Sequence, residues 1–299
     1  MSERFSCARH SRDRREPLHG TASTVRRWVL IEQPGPWGRD ALPESNLGAD
    51  LGAELKARIR RAGARPLLIR RGGGVENDPR TAYLCSSAAG WLRRVEFDDP
   101  EQLLDLDLDV LAADEPVGGE PVDGPLLLTC TNGKHDACCA EMGRPVAEAF
   151  AAAAGDGAWE VSHIGGDRFA ANVLWLPVGV YYGRIAAEDA ALVAALAATG
   201  RLSLPHYRGR STMPFAAQAA EVLLRRELSC DGIDALELEA FASSNEAGRA
   251  TFRRHDERWE VRFSIEPADQ PQQLTCRANQ PRTPPRYRDV RFEQVSPGT

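Results

Sequence analysis

The sequence has no apolar run approaching the roughly 18 residues that a membrane helix needs, so nothing in it predicts a membrane span. It has no phosphate loop either. The triple glycine Gly72 to Gly74 lacks both the Walker spacing and a following Lys-Ser/Thr. No strong charge of one sign is present: the net charge is -6, with basic residues mixed among acidic ones, which gives a nucleic-acid partner no electrostatic support. There is no Cys-x-x-Cys, which argues against dithiol exchange, and no pair of carboxylates with an arguable glycosidase role. The opening residues lack the charged region, apolar core and cleavage site of a secretory signal, so the expected location is cytoplasmic.

Cysteine is present but not as a disulfide framework. Seven residues, an odd number, are scattered at Cys7, Cys85, Cys130, Cys138, Cys139, Cys230 and Cys276. Reduced thiols are therefore expected, and in a reducing compartment a local cysteine cluster more often binds metal or does redox chemistry than cross-links the chain. Cys85 and Cys276 follow strand-like runs and read as small buried hydrophobes. Cys7 sits in a polar, Arg-rich lead segment that suggests no role.

Two stretches carry most of the chemistry. The first runs from Cys130 through Asp136 to Cys138 and Cys139; the second contains His163, Gly165, Gly166, Asp167 and Asn172. Together they offer thiols, imidazoles and carboxylates on two loops, a donor set suited to zinc or an iron-sulfur centre. Asp136 reads as the cap or Asx-turn residue of the first loop, and Lys134 and His135 as solvated loop residues. Asp167 has Arg168 and Arg184 as candidate ion-pair partners, and Tyr181 and Tyr182 read as hairpin packing.

The length suits about two domains. Residues 1–24 read as a polar arm, extended or mobile. Residues 25–120 alternate apolar and turn-forming stretches in the order strand, helix, strand, strand, strand, and residues 121–228 repeat that order. In the repeat, Arg144-Pro145-Val146 is the predicted start of the first helix, and both ligand-bearing loops follow strands at one edge. Residues 229–299 form an extension with a β-hairpin, in which Trp259, Val261, Phe263 and Ile265 alternate with polar residues. The fold class expected is α/β.

The spacing of Cys130 and Cys139 around Gly133 and Asp136, the His-x-Gly-Gly at His163, the Phe-Ala-x-Asn ending at Asn172 and the Tyr-Tyr-Gly at Tyr181 resemble the sucrase/ferredoxin-like family. The likeness lies mainly in residues 125–185. It implies a thioredoxin-like ferredoxin domain in which two Cys and two His hold a 2Fe-2S cluster. Carried over by position, Cys130, Cys139 and His163 match three ligands, while the last position, where the family has His, is Asp167. A carboxylate is a harder ligand, so Asp167 should hold iron more weakly, and Cys138 is the other candidate for the fourth place. The function this implies is soluble one-electron transfer with an unknown redox partner protein, involving neither nucleic acid nor membrane. Two alternatives stay open: a thiol-redox or zinc-binding module, and a cluster-free interaction protein with a degenerate site.

Overall fold

The computed structural model describes residues 5–74 and 78–295; the ends of the predicted arm and extension lie outside them. A helix α1 (Cys7–Asp13) leads into the first unit: β1 (Arg27–Glu32), α2 (Ala49–Arg61), β2 (Ala64–Arg70), β3 (Arg80–Ser86) and β4 (Trp91–Phe97). After a 3-10 turn at Pro100–Asp105 come α3 (Leu108–Ala112) and the two-residue β5 (Glu120–Pro121). The second unit comprises β6 (Leu126–Cys130), α4 (Ala137–Ala154), β7 (Ala158–Val161), β8 (Val173–Leu176), β9 (Val180–Tyr182) and α5 (Ala190–Ala198). It is followed by β10 (Tyr207–Arg210) and α6 (Phe215–Glu227). The chain closes with β11 (Glu237–Ser243), β12 (Ala247–Arg254), β13 (Glu257–Pro267) and β14 (Pro285–Val295).

The repeated order gives a repeated topology. In the first unit β1 is parallel to β2 and antiparallel to β3, and β3 is antiparallel to β4. The second unit has the same relations among β6, β7, β8 and β9. This strand-helix-strand-hairpin plan is the one expected of a thioredoxin-like unit, and the fold is α/β. The two units are joined edge to edge: β2 and β7 pair antiparallel, so that all the strands up to β10 form one ten-stranded sheet.

The join is held by a few specific groups. Arg70 stands opposite Glu160 and forms an ion pair at 2.7 Å. Leu68 and Ser162 exchange hydrogen bonds, the Ser162 N–H donating to the Leu68 carbonyl and the Leu68 N–H to the Ser162 hydroxyl. The guanidinium of Arg71 lies 3.7 Å from the ring centroid of Trp159, a cation–π contact across the same seam. Because β1 and β6 are covered on both faces, they are almost continuous apolar runs. Val29 and Ile31 pack with Leu55 and Ile59 of α2, while Leu127, Val173 and Trp175 pack with Val146 and Phe150 of α4. A third cluster, including Trp28, Leu30, Leu67, Leu128 and Trp159, spans both units.

Several local expectations change. Helix α4 starts at Ala137, not near Arg144, because the Asp136 carboxylate accepts the N–H of Cys138 and caps the helix there. Pro145 consequently lies inside the helix. The lead segment is not simply an extended arm, since α1 packs against the turn that begins at Asp167. The hairpin of the extension is part of a four-stranded sheet, flanked by β11 and β14 and packed on α6 through Phe252, Val261 and Phe263.

Candidate metal centre

Both loops emerge from the ends of adjacent parallel strands. Strand β6 ends at Cys130 and β7 at Val161, and the backbone ties their sequels together: the Thr131 N–H donates to the Val161 carbonyl and the Cys130 N–H to the Asn172 carbonyl. Helix α4 then rises from the first loop and passes so close to β6 that a Cβ on Gly143 would lie 2.2 Å from the Cys130 carbonyl oxygen. This close approach returns Cys139, in the first helical turn, to the level of Cys130.

The loop at His163 is fixed by surrounding side chains. Arg65, from the first unit, donates to the His163 carbonyl at 2.7 Å. Ser23 and Tyr181 both donate to the Ile164 carbonyl. Arg208, fully buried on β10, donates to the Gly165 carbonyl, to the Asn172 side chain and to the backbone and hydroxyl of Thr21. Gly166 has φ 83°, and a Cβ there would lie 2.2 Å from the Arg208 guanidinium, so glycine meets both a conformational and a spatial demand.

Ligand-type atoms of Cys130, Cys139 and His163 lie within 4.8 Å of one another. His163 also belongs to a second group with His135 and Asp167, so two triads share one imidazole. Asp167 Oδ1 is 3.0 Å from His163 Nδ1 and accepts from the Cys139 thiol at 3.4 Å. The Asp167 carboxylate is thus the ion-pair partner of this buried nitrogen. Asp167 does not pair with Arg168 or Arg184: Arg168 binds the buried Glu16 at 2.9 Å, and Arg184 binds Ser11.

The electrostatics follow from this crowding. Hydrogen bonding with Cys139, helped by His163 and opposed by burial, holds the Cys130 thiol well below its ordinary range. The same bond, together with burial, pushes Cys139 well above its own. Burial would lower the His163 pKa, but Asp167 and Cys130 outweigh it and raise it to about 9. Asp167 is likewise opposed by burial yet lowered by His163. A metal entering this group would displace protons from His163 and Cys139, as thiolate and imidazole ligands require.

The structure does not bring Cys138 to this group. Successive helical residues are about 100° apart around the axis, so Cys138 and Cys139 cannot face the same way. Cys138 Sγ points instead to Cys7 and Cys276, at 3.8 and 3.3 Å. Hydrogen bonding from Cys7, against burial, draws its pKa down to about 6. Cys276 is thus no inert core residue, and Asp136 caps α4 while also accepting the N–H of Cys276.

His135 is more than a solvated loop residue. It is half-buried, its ring stacks on His163 at 3.6 Å between centroids, and its pKa is lowered by burial and by the neighbouring His163. Nothing in the sequence flagged Arg65, Arg208 or the pairing of His135 with His163, since each is brought in by tertiary packing. His135 and His163 line a cleft of about 360 Å³ together with Arg39, Lys56, Arg60 and Arg65. Among the described residues no helix is long and apolar enough to cross a membrane.

The model of the sucrase/ferredoxin-like family matches residues 18–209, more than half of the chain. The match spans the ten-stranded sheet but leaves out α1 and the C-terminal sheet. No curated protein and no solved structure matches the chain.

Proposed function

Because the chain belongs to the sucrase/ferredoxin-like family, we propose that it is a one-electron carrier that holds a 2Fe-2S cluster on its second unit. The observation that carries this reading is the convergence of Cys130, Cys139 and His163 within 4.8 Å, with Asp167 touching both Cys139 and His163. Two thiols and an imidazole suit iron, and His163 Nδ1 faces the Asp167 carboxylate at 3.0 Å, so nitrogen and oxygen donors stand side by side next to the thiols. When bound, the cluster supplies a one-electron couple.

The chain's own groups perform the remaining tasks. Cys130 and Cys139 provide the thiolates, and His163 with Asp167 the nitrogen and oxygen donors. Arg65, Tyr181 and Arg208 hold the His163 loop through its carbonyls, so that the imidazole keeps its orientation. His135 covers the outer face of His163, and Arg39, Arg60 and Arg65, which line the cleft beside an Asp40–Lys56 ion pair, offer a docking face of net positive charge for an acidic redox partner protein.

Substitution tests the reading. Cys130→Ser and Cys139→Ser should each abolish iron content and visible colour, whereas Cys138→Ser should retain both. Retention of iron in the first two variants would refute the ligand assignment, because thiolates are the indispensable soft ligands of such a centre.

A further inference from the structure

A second group of thiols lies on the other side of the first turn of α4. Cys7 from the lead helix, Cys138 from α4 and Cys276 from the segment before β14 are separated in sequence by more than a hundred residues each, yet their sulfurs form a triangle with sides of 3.8, 3.3 and 3.5 Å. The carboxylate of Asp136, wholly buried, stands over this triangle with Oδ2 3.8 Å from Cys7 Sγ. Cys7 and Cys138 are buried and Cys276 is partly so. Backbone N–H groups also converge here: that of Cys7 points to Cys276 Sγ at 3.4 Å, and that of Cys276 donates to Asp136 at 2.7 Å.

We propose that Cys7, Cys138, Cys276 and Asp136 form a four-coordinate structural zinc site, separate from the Cys130–Cys139–His163 group. The dimensions favour a metal over a cross-link. Zinc–sulfur bonds of about 2.3 Å in a tetrahedron set neighbouring sulfurs about 3.8 Å apart, close to the sides observed. A disulfide would draw two sulfurs to about 2.05 Å and leave the third thiol unused, whereas the three here are nearly equidistant. Three thiolates and one carboxylate leave no open coordination position, which is the signature of a structural rather than a catalytic zinc.

The placement gives the site a purpose. Cys7 and Cys276 lie outside residues 18–209, so the ion would tie both flanking segments to the family core. It would do so at the first turn of α4, beside the Asp136 cap. This inference does not rest on a bound iron-sulfur cluster, since none of its four donors belongs to the proposed cluster ligands.

Zinc and iron would be measured on the full chain produced in medium containing both metals, for the wild type and for Cys7→Ser, Cys276→Ser, Cys276→His and Cys130→Ser. The wild type should carry about one zinc per chain. Cys7→Ser and Cys276→Ser should fall to background zinc while keeping their iron, Cys276→His should recover zinc, and Cys130→Ser should lose iron but not zinc. If Cys7→Ser and Cys276→Ser fail to fold, reduced and metal-stripped Cys130→Ser titrated with zinc chloride against a chromophoric chelator should still take up about one zinc per chain, and no uptake would overturn the proposal. Three results would overturn the proposal: a wild type that takes up no zinc, zinc that disappears in Cys130→Ser but persists in Cys276→Ser, or a disulfide linking any two of Cys7, Cys138 and Cys276 in the purified chain.

Discussion

Replacing Arg208 with methionine tests whether the ligand loop is held in place by that one buried cation. The side chain is fully buried and makes hydrogen bonds of 3.1, 3.2, 2.8 and 2.5 Å to Thr21, Gly165 and Asn172. It also lies 5.2 and 5.3 Å from the ring centroids of Phe169 and Tyr181. Burial lowers its pKa to about 9, a measure of how poorly it is solvated. Hydrogen bonds from a charged donor contribute roughly 1.5–3 kcal/mol each, but removing the ion also recovers several kcal/mol of desolvation. What then remains is mainly the cost of leaving the loop carbonyls and Asn172 unpaired in a dry site, so Arg208→Met should destabilise the fold by about 3–5 kcal/mol. Arg208→Lys should fall between, because an ammonium keeps the charge but loses the planar fork that reaches four acceptors. Urea unfolding gives the stability change, and the rate of iron release from loaded protein reports on the loop. A loss under about 1 kcal/mol with unchanged iron release would refute the clamp.

Two further expectations concern other groups. If Asp167 is a ligand, Asp167→His should raise the reduction potential, on the order of 100 mV for losing one negative charge at close range, and Asp167→Asn should weaken iron retention; redox titration giving identical potentials in all three proteins would remove Asp167 from the ligand set. His19 has its pKa lowered to about 4 by burial and by Arg226 and Arg286, so the neutral imidazole is the folded form. Its contribution is intact above the ordinary value of 6.5 and is lost as pH falls from there towards 4, by at most ~3 kcal/mol. His19→Gln should flatten stability over that range, and an unchanged acid limb in pH-dependent unfolding would contradict the assignment.

What the sequence disclosed depended on whether the signal was local. Cys130, Cys139 and His163 carry a recognisable spacing at the ends of two apolar strands, and the structure brings them together. The repeated strand-helix-strand-strand-strand order also follows from short-range patterning, because each element is set by its own apolar period and turn residues. Long-range contacts left no such trace. Cys7 and Cys276 stand 269 positions apart with nothing in their neighbours to mark a shared site. Arg208 resembles any strand arginine until β10 places it beneath Gly166. The edge pairing of β2 with β7 adds only two residue pairs, too few to read from composition. One signal was present but outweighed: Asp136 followed by Ala-Cys-Cys is a helix start, yet Pro145 drew the predicted boundary downstream.

The measurement that bears most directly on the central claim is the iron and acid-labile sulfide content of protein purified without oxygen, taken with its visible spectrum. A 2Fe-2S carrier should yield about two irons and two sulfides per chain, with colour that bleaches on one-electron reduction and disappears in Cys130→Ser. Protein without sulfide, whose Cys130, Cys139 and His163 instead hold zinc or no metal at all, would contradict the account.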